Sequence, residues 1–158
     1  TKAANYNKET ISIDRNRTTA ESFADEYEIE DETLDYMVPK LILQPLVENS
    51  IYHGVKLKGE HCIIRVTAKM SEEGLRVSIY DTGVGMSEEQ IQKVLETKRE
   101  EAVRKSPGGF GLAGTIDRIR YYCNKDDVVT IRSEMGEYTE IEICIPQNTQ
   151  ERLRDGEE

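Results

Sequence analysis

The chain has 158 residues, 37 % of them hydrophobic and 6 % aromatic, and a formal net charge of −10. That length supports one domain with a hydrophobic core plus polar ends, and the acidic balance argues against a nucleic-acid or anionic-membrane surface, both of which need clustered cations. Apolar runs fall far short of the roughly 18 residues that a membrane span needs and no secretory pattern is present, so the stretch reads as soluble and cytoplasmic. Cys62, Cys123 and Cys144 are odd in number and lack C-x-x-C spacing, which reads as reduced packing cysteines.

Residues 1–22 are polar, with Ile11 and Ile13 as their regular apolar anchors, and read as the end of an upstream segment. Phe23, Tyr27 and Ile29 predict a strand over Phe23 to Glu30. Pro39 suits the first turn of a helix, the run to His53 is strongly apolar, and Gly54 is the expected stop. Pro45 inside that helix removes one backbone hydrogen bond, which predicts a kink near Leu41.

Two alternating strands follow. Ile64, Val66, Ala68 and Met70 share one face of the first. After a turn at Glu73-Gly74, Leu75, Val77 and Ile79 point inward in the second, and the same phase carries Asp81 to the core side. A carboxylate there needs a partner.

Ser87 and Gln90 form a capping box ahead of a short amphipathic helix through Ile91, Val94 and Leu95. Glu96 to Ser106 is almost wholly charged and, with Pro107-Gly108-Gly109 behind it, reads as a mobile flap. A helix from Leu112 to Tyr122 and a hairpin pairing Val128–Glu134 with Tyr138–Pro146 complete the pattern. The expected organisation is a domain over 23–147 and a disordered tail over 148–158. Its fold class is α+β: a two-layer sandwich with helices on one face of a mixed, largely antiparallel sheet.

Three groups of residues carry chemistry. Asn49 shares a helix stripe with Ile42, Pro45 and Leu46, so its amide oxygen sits among core-facing residues beside Glu48 and is a reasonable single protein ligand for magnesium. Asp81-Thr82-Gly83-Val84-Gly85 closes a strand, where the carboxylate can accept from an exocyclic amine while the glycines let backbone turn around a flat ring. Gly108-Gly109-Phe110-Gly111-Leu112 opens a helix whose free N–H groups suit polyphosphate. No Walker-type phosphate loop is present. His53, one turn beyond Asn49, can pack on a base or close a pocket; an ordinary helix C-terminal histidine is the other reading. Pro45 stands one turn before Asn49, where a carboxylate could orient an attacking water, and so disfavours hydrolysis.

The run Pro39-Lys40-Leu41-Ile42-Leu43-Gln44-Pro45-Leu46-Val47-Glu48-Asn49, then Asp81 to Met86, then Gly109 to Leu112, resembles the catalytic ATP-binding domain of bacterial two-component sensor histidine kinases, in the subgroup whose N box reads L-Q-P-x-V-E-N. The resemblance covers about Phe23 to Pro146 and implies the Bergerat ATP-binding fold of gyrase-like ATPases. It implies that Asn49 holds Mg2+ with Glu48 close to the metal or its water, and that Asp81 binds the adenine amino group of ATP. It further implies that Gly83 and Gly85 form a loop around the base, that Gly109 and Gly111 form a loop at the phosphates, that Met86, Phe110 and Leu112 belong to the nucleotide site, and that Met86 to Gly108 form a lid. The implied partners are the kinase's own dimerisation segment with its phosphoacceptor histidine, and the receiver domain of a response regulator. The implied whole protein is a homodimer attached to the membrane through segments outside this chain, which itself reads as an excised catalytic domain.

Ser50-Ile51-Tyr52-His53-Gly54 departs from the subgroup's usual Ala-x-Lys-His-Gly, and removes a lysine that contacts phosphate; Lys56 or Lys58 could substitute. Thr82 and Gly114 stand where asparagines are common. Two other readings stay open: a non-catalytic nucleotide or partner module, and half of an aspartic protease. The latter needs two D-T-G triplets on an almost all-β body, and this chain has one triplet and several helices.

Overall fold

A computed structural model describes residues 23–36, 38, 40–59, 61–96 and 111–149. Five strands form one sheet in the order β1-β2-β3-β5-β4: β1 Phe23–Ile29, β2 Cys62–Ser71, β3 Gly74–Asp81, β4 Val129–Glu134 and β5 Tyr138–Pro146. β1 runs parallel to β2, and every other pairing is antiparallel. The mixed, largely antiparallel sheet is thus as expected. The three helices named here are α1 Lys40–Asn49, α2 Glu88–Glu96 and α3 Leu112–Cys123.

Side-chain alternation sorts the sheet into two unlike faces. Registers place Val66, Ile79 and Ile141 in one row across β2, β3 and β5, and Val77 with Ile143 in the next. These residues, with Ile64, Leu75, Ile131 and Ile145, are buried together with Ile42, Leu46, Ile116 and Ile119 of α1 and α3. The opposite face is charged. Arg65 pairs with Glu26 at 2.8 Å, Arg76 with Glu142 at 2.9 Å and Arg132 with Glu140 at 2.5 Å, while Tyr80 stacks on Tyr138 at 5.7 Å. Such exposed pairs add little stability each but keep this face wet. The apolar layer between sheet and helices is therefore the single core among the described residues.

The first helix departs from expectation at its end. Gly54 does not stop it: the backbone passes into a π-helical stretch over Ser50–Val55, a further turn over Lys56–Lys58, and ends at Gly59 in the left-handed conformation, φ +69°. Gly54 is buried inside this run, because its missing side chain is needed for contact with β3 rather than for a turn. At the other end of the domain, residues 147–149 continue as helix and Thr149 is 2 % exposed, so packed structure reaches two residues beyond the expected edge at 147. The flap expected over Glu96 to Ser106 lies, beyond Glu96 itself, outside the described residues.

Candidate functional site

A cleft of about 470 Å³ opens where α1, the π-helical stretch, α2, the start of α3 and the ends of β3 and β5 converge. Asp81 forms its floor. The inward phase of β3 puts this carboxylate in register with Ile64 on one side and Thr139 on the other, and leaves it 2 % exposed. Gly83 N–H donates to its Oδ1 at 3.0 Å. Burial, the largest influence, pushes the Asp81 pKa up, while Ser50, the Gly83 N–H and the Lys58 cation favour the charged form.

The π-helical stretch explains how α1 reaches this carboxylate. Its i→i+5 bonding widens one turn, and Ser50 and Gly54 both come to Asp81. A Cβ on Gly54 would lie 2.6 Å from Asp81 Oδ1, and a Cβ on Gly83 would lie 2.3 Å from the Gly54 carbonyl carbon. Only two glycines facing each other let helix and loop close this tightly. Ser50 is 1 % exposed, and its hydroxyl lies near enough to Asp81 to favour the ionised form while falling short of full hydrogen-bond geometry. A buried hydroxyl left without a bond is costly, and it marks a position where a bridging water or ligand group would be stabilised.

Backbone bonds lock the loop after Asp81. Val84 N–H donates to the Gly54 carbonyl at 3.1 Å, and Gly136 N–H of the β4–β5 turn donates to the Val84 carbonyl at 2.7 Å. Lys58 Nζ donates to the carbonyls of Thr82, at 3.0 Å, and Gly136, at 2.9 Å. This lysine ties the loop after β3 to the β4–β5 turn and is not among the residues lining the cleft. Gly85 adopts φ +73°, and a Cβ there would sit 2.1 Å from the Glu134 carbonyl oxygen.

Of the residues singled out from sequence, Asn49, His53, Asp81, Gly85, Met86 and Leu112 line the cleft together. Gly83 lies behind the wall as a packing contact. Glu48 is exposed, is not among the residues lining the cleft, and accepts from Gln44 Nε2 at 3.1 Å. Gly111 is the exposed N-cap of α3, and the first N–H groups of a helix have no partner within it. Gly109 and Phe110 lie outside the described residues. The α2 part of the expected lid is a wall: Ser87 Oγ accepts from Gln90 N–H at 3.1 Å and Gln90 Oε1 accepts from Ser87 N–H at 2.8 Å, and Gln90, Lys93 and Val94 face the cleft.

Thr139 was not expected here. It is 5 % exposed and sits beside Asp81 on the cleft floor. A signal existed: the inward series Ile141, Ile143, Ile145 begins with a polar residue, as the inward series of β3 ends with one.

The donor set suits an aminopurine nucleotide with magnesium. Asp81 offers an acceptor at the floor, the glycine-paired loop leaves room for a flat ring, Asn49, whose side chain carries an amide oxygen, lines the wall, and Leu112 at the start of α3 borders the same space. Comparison with known proteins agrees with a nucleotide site. Over 133 residues the chain is 30 % identical to the sensor protein LytS of Bacillus cereus, covering 82 % of this chain and 22 % of that protein. It is 31 % identical over 119 residues to the sensor histidine kinase YesM of Bacillus subtilis, covering 75 % and 19 %. The chain thus spans about a fifth of these relatives' length. In fold it is similar to the catalytic domain of histidine kinase ThkA, with a TM-score of 0.61 at 17 % identity over 92 % of this chain and 94 % of that one. It is likewise similar to the histidine kinase domain of a blue-light activated kinase from Erythrobacter litoralis, with a TM-score of 0.61 at 16 % identity over 99 % and 65 %. Residues 35–149, which include every residue lining the cleft, match the family described as histidine kinase-, DNA gyrase B-, and HSP90-like ATPase, and the chain belongs to that family.

Proposed function

We propose that this domain binds Mg-ATP in the Asp81 cleft and presents the γ-phosphate to a histidine on the dimerisation segment of a sensor histidine kinase, which then serves a response regulator. The observation that carries the reading is a buried carboxylate on the floor of a cleft whose wall holds Asn49 and whose mouth meets the start of α3. Asp81 accepts from the adenine amino group, and the Gly83 and Val84 backbone holds the loop in place around the ring. Asn49 would supply an amide oxygen to magnesium, and the N–H groups at the start of α3 favour the phosphates. The metal neutralises phosphate charge when bound; the protein's share of catalysis is positioning, since phosphoryl transfer asks little covalent chemistry of it.

Transfer is favoured over hydrolysis by Pro45, which offers no group to orient water one turn before Asn49. Glu48, held by Gln44 on the exposed side of α1, has its place in this reading near the metal-bound water rather than at the base. Among the described residues no helix is long and apolar enough to cross a membrane, and membrane attachment and dimerisation belong in this reading to other segments of the full kinase.

Calorimetry with ADP and ATP, with and without magnesium, tests the proposal. Saturable binding that Asp81→Asn abolishes, and whose magnesium dependence Asn49→Ala removes, is expected. Absence of binding at millimolar nucleotide would overturn it. Phosphotransfer is tested by supplying a separate phosphoacceptor domain: label should appear on the acceptor histidine and not on this chain.

A further inference from the structure

Three hydrogen bonds meet on one hydroxyl just behind the cleft floor. Ser133 Oγ lies 2.6 Å from the Tyr138 carbonyl oxygen and 2.9 Å from Thr139 Oγ1, and it receives the Met86 N–H at 2.7 Å. The direction of each bond follows from counting protons. A serine hydroxyl has one proton and two lone pairs. A carbonyl oxygen only accepts, so the contact with Tyr138 uses the Ser133 proton. A backbone N–H only donates, so Met86 takes one lone pair. The remaining lone pair is what Thr139 meets, and Thr139 must donate its own proton to it.

Thr139 Oγ1 is therefore left with lone pairs alone to offer the cleft it lines. Asp81, its register partner, also offers acceptors. A ring edge with an exocyclic amine supplies protons to such a floor. A 6-oxopurine keeps one proton on that edge, at N1, but its ring carbonyl beside Thr139 would meet oxygen lone pairs with no proton between them, in a site too buried for water to compensate fully.

We propose that Ser133, which is not among the residues lining the cleft, is a positioning residue for base selectivity: it holds Thr139 as an acceptor and so makes the floor reject 6-oxopurines. The proposal rests on the nucleotide-binding reading above. Its Met86 bond adds a second function, since the same hydroxyl anchors the end of the loop that follows Asp81. Replacing Ser133 by alanine frees the Thr139 proton, and the threonine hydroxyl can then turn and donate to a ring carbonyl.

The test is calorimetric titration of the full chain with ADP and with inosine diphosphate, in magnesium, for wild type, Ser133→Ala and Ser133→Thr. Wild type should prefer ADP by about a hundredfold. Ser133→Ala should narrow that ratio by about tenfold, mainly through tighter inosine diphosphate binding, and Ser133→Thr should restore it. Loss of the Met86 anchor alone would weaken both ligands together and leave the ratio unchanged, which would overturn the proposal. If Ser133→Ala does not fold, Thr139→Val decides. An acceptor removed should narrow the ratio, whereas a donor removed would widen it and overturn the proposal. A wild type that binds both diphosphates equally would overturn the acceptor-only floor and leave nucleotide binding standing. A wild type that binds neither would overturn both.

Discussion

Asp81 is held in its folded place at the expense of its charge. Burial raises its pKa, so the native state keeps this proton to higher pH than the unfolded chain does. Between the unfolded and native pKa values the native state binds more protons, and stability falls as pH rises through that window, with the full penalty present above it. Asp81→Asn keeps the oxygen that accepts from Gly83 and removes the charge. The variant should lose ADP binding yet melt at a higher temperature than wild type at neutral pH, with the difference shrinking as the solution is acidified below the ordinary carboxylate range. Thermal melts of the ligand-free proteins across that range check it, and a variant that melts lower at neutral pH would show that desolvation does not dominate at this site. In the proposed reading nucleotide binding uses the charged form, so it should fall on acidification at a higher pH than an ordinary aspartate would set.

Between residue and fold, the site depends on elements being tied to one another. Lys58 joins the loop after β3 to the β4–β5 turn, and also favours the charged form of Asp81. Lys58→Met keeps most of the aliphatic stem and removes both bonds. It should lower stability by roughly 1–2 kcal/mol in urea unfolding and move the acid limit of nucleotide binding to higher pH. Unchanged pH dependence would mean that the lysine acts on the loop alone. At α2 the capping box holds the first turn of the helix that walls the cleft. Ser87→Ala should cost about 1 kcal/mol. Because Gln90, Lys93 and Val94 depend on that helix, ADP affinity should weaken in the same variant, measured in the same titration.

The whole molecule has one apolar layer, and site and core share it. Leu46 is 0 % exposed and lies on α1 between the sheet and α3, three residues from Asn49. Leu46→Ala should lower unfolding free energy by roughly 2–5 kcal/mol in a single urea transition. A two-step transition would show that the helical layer unfolds apart from the sheet. Ligand binding should act on the same equilibrium: ADP at a hundredfold excess over its dissociation constant stabilises a domain by about 2.7 kcal/mol. Part of the Leu46→Ala loss should therefore return with nucleotide, whereas Asp81→Asn should show no such gain.

Local pattern alone determined much of this protein. Period-two alternation in β2, β3 and β5 defined the buried face, and carrying the phase of Leu75, Val77 and Ile79 forward put Asp81 on it, because a strand's side chains alternate whatever packs against them. The Ser87–Gln90 box was legible for a similar reason: a cap is a contact between residues three or four apart. What the sequence could not decide were contacts between elements distant along the chain. The continuation of α1 through a π-helical stretch, with Gly54 placed for the loop at Gly83 and not for a helix end, depends on β3 being packed beside it. Lys58 as a tie, Thr139 beside Asp81, and Ser133 behind Thr139 arise only when the β4–β5 hairpin is zipped onto β3. Short-range periodicity selects which residues face inward. Only the folded register decides which of them meet, and therefore which hydroxyl has a proton left to give.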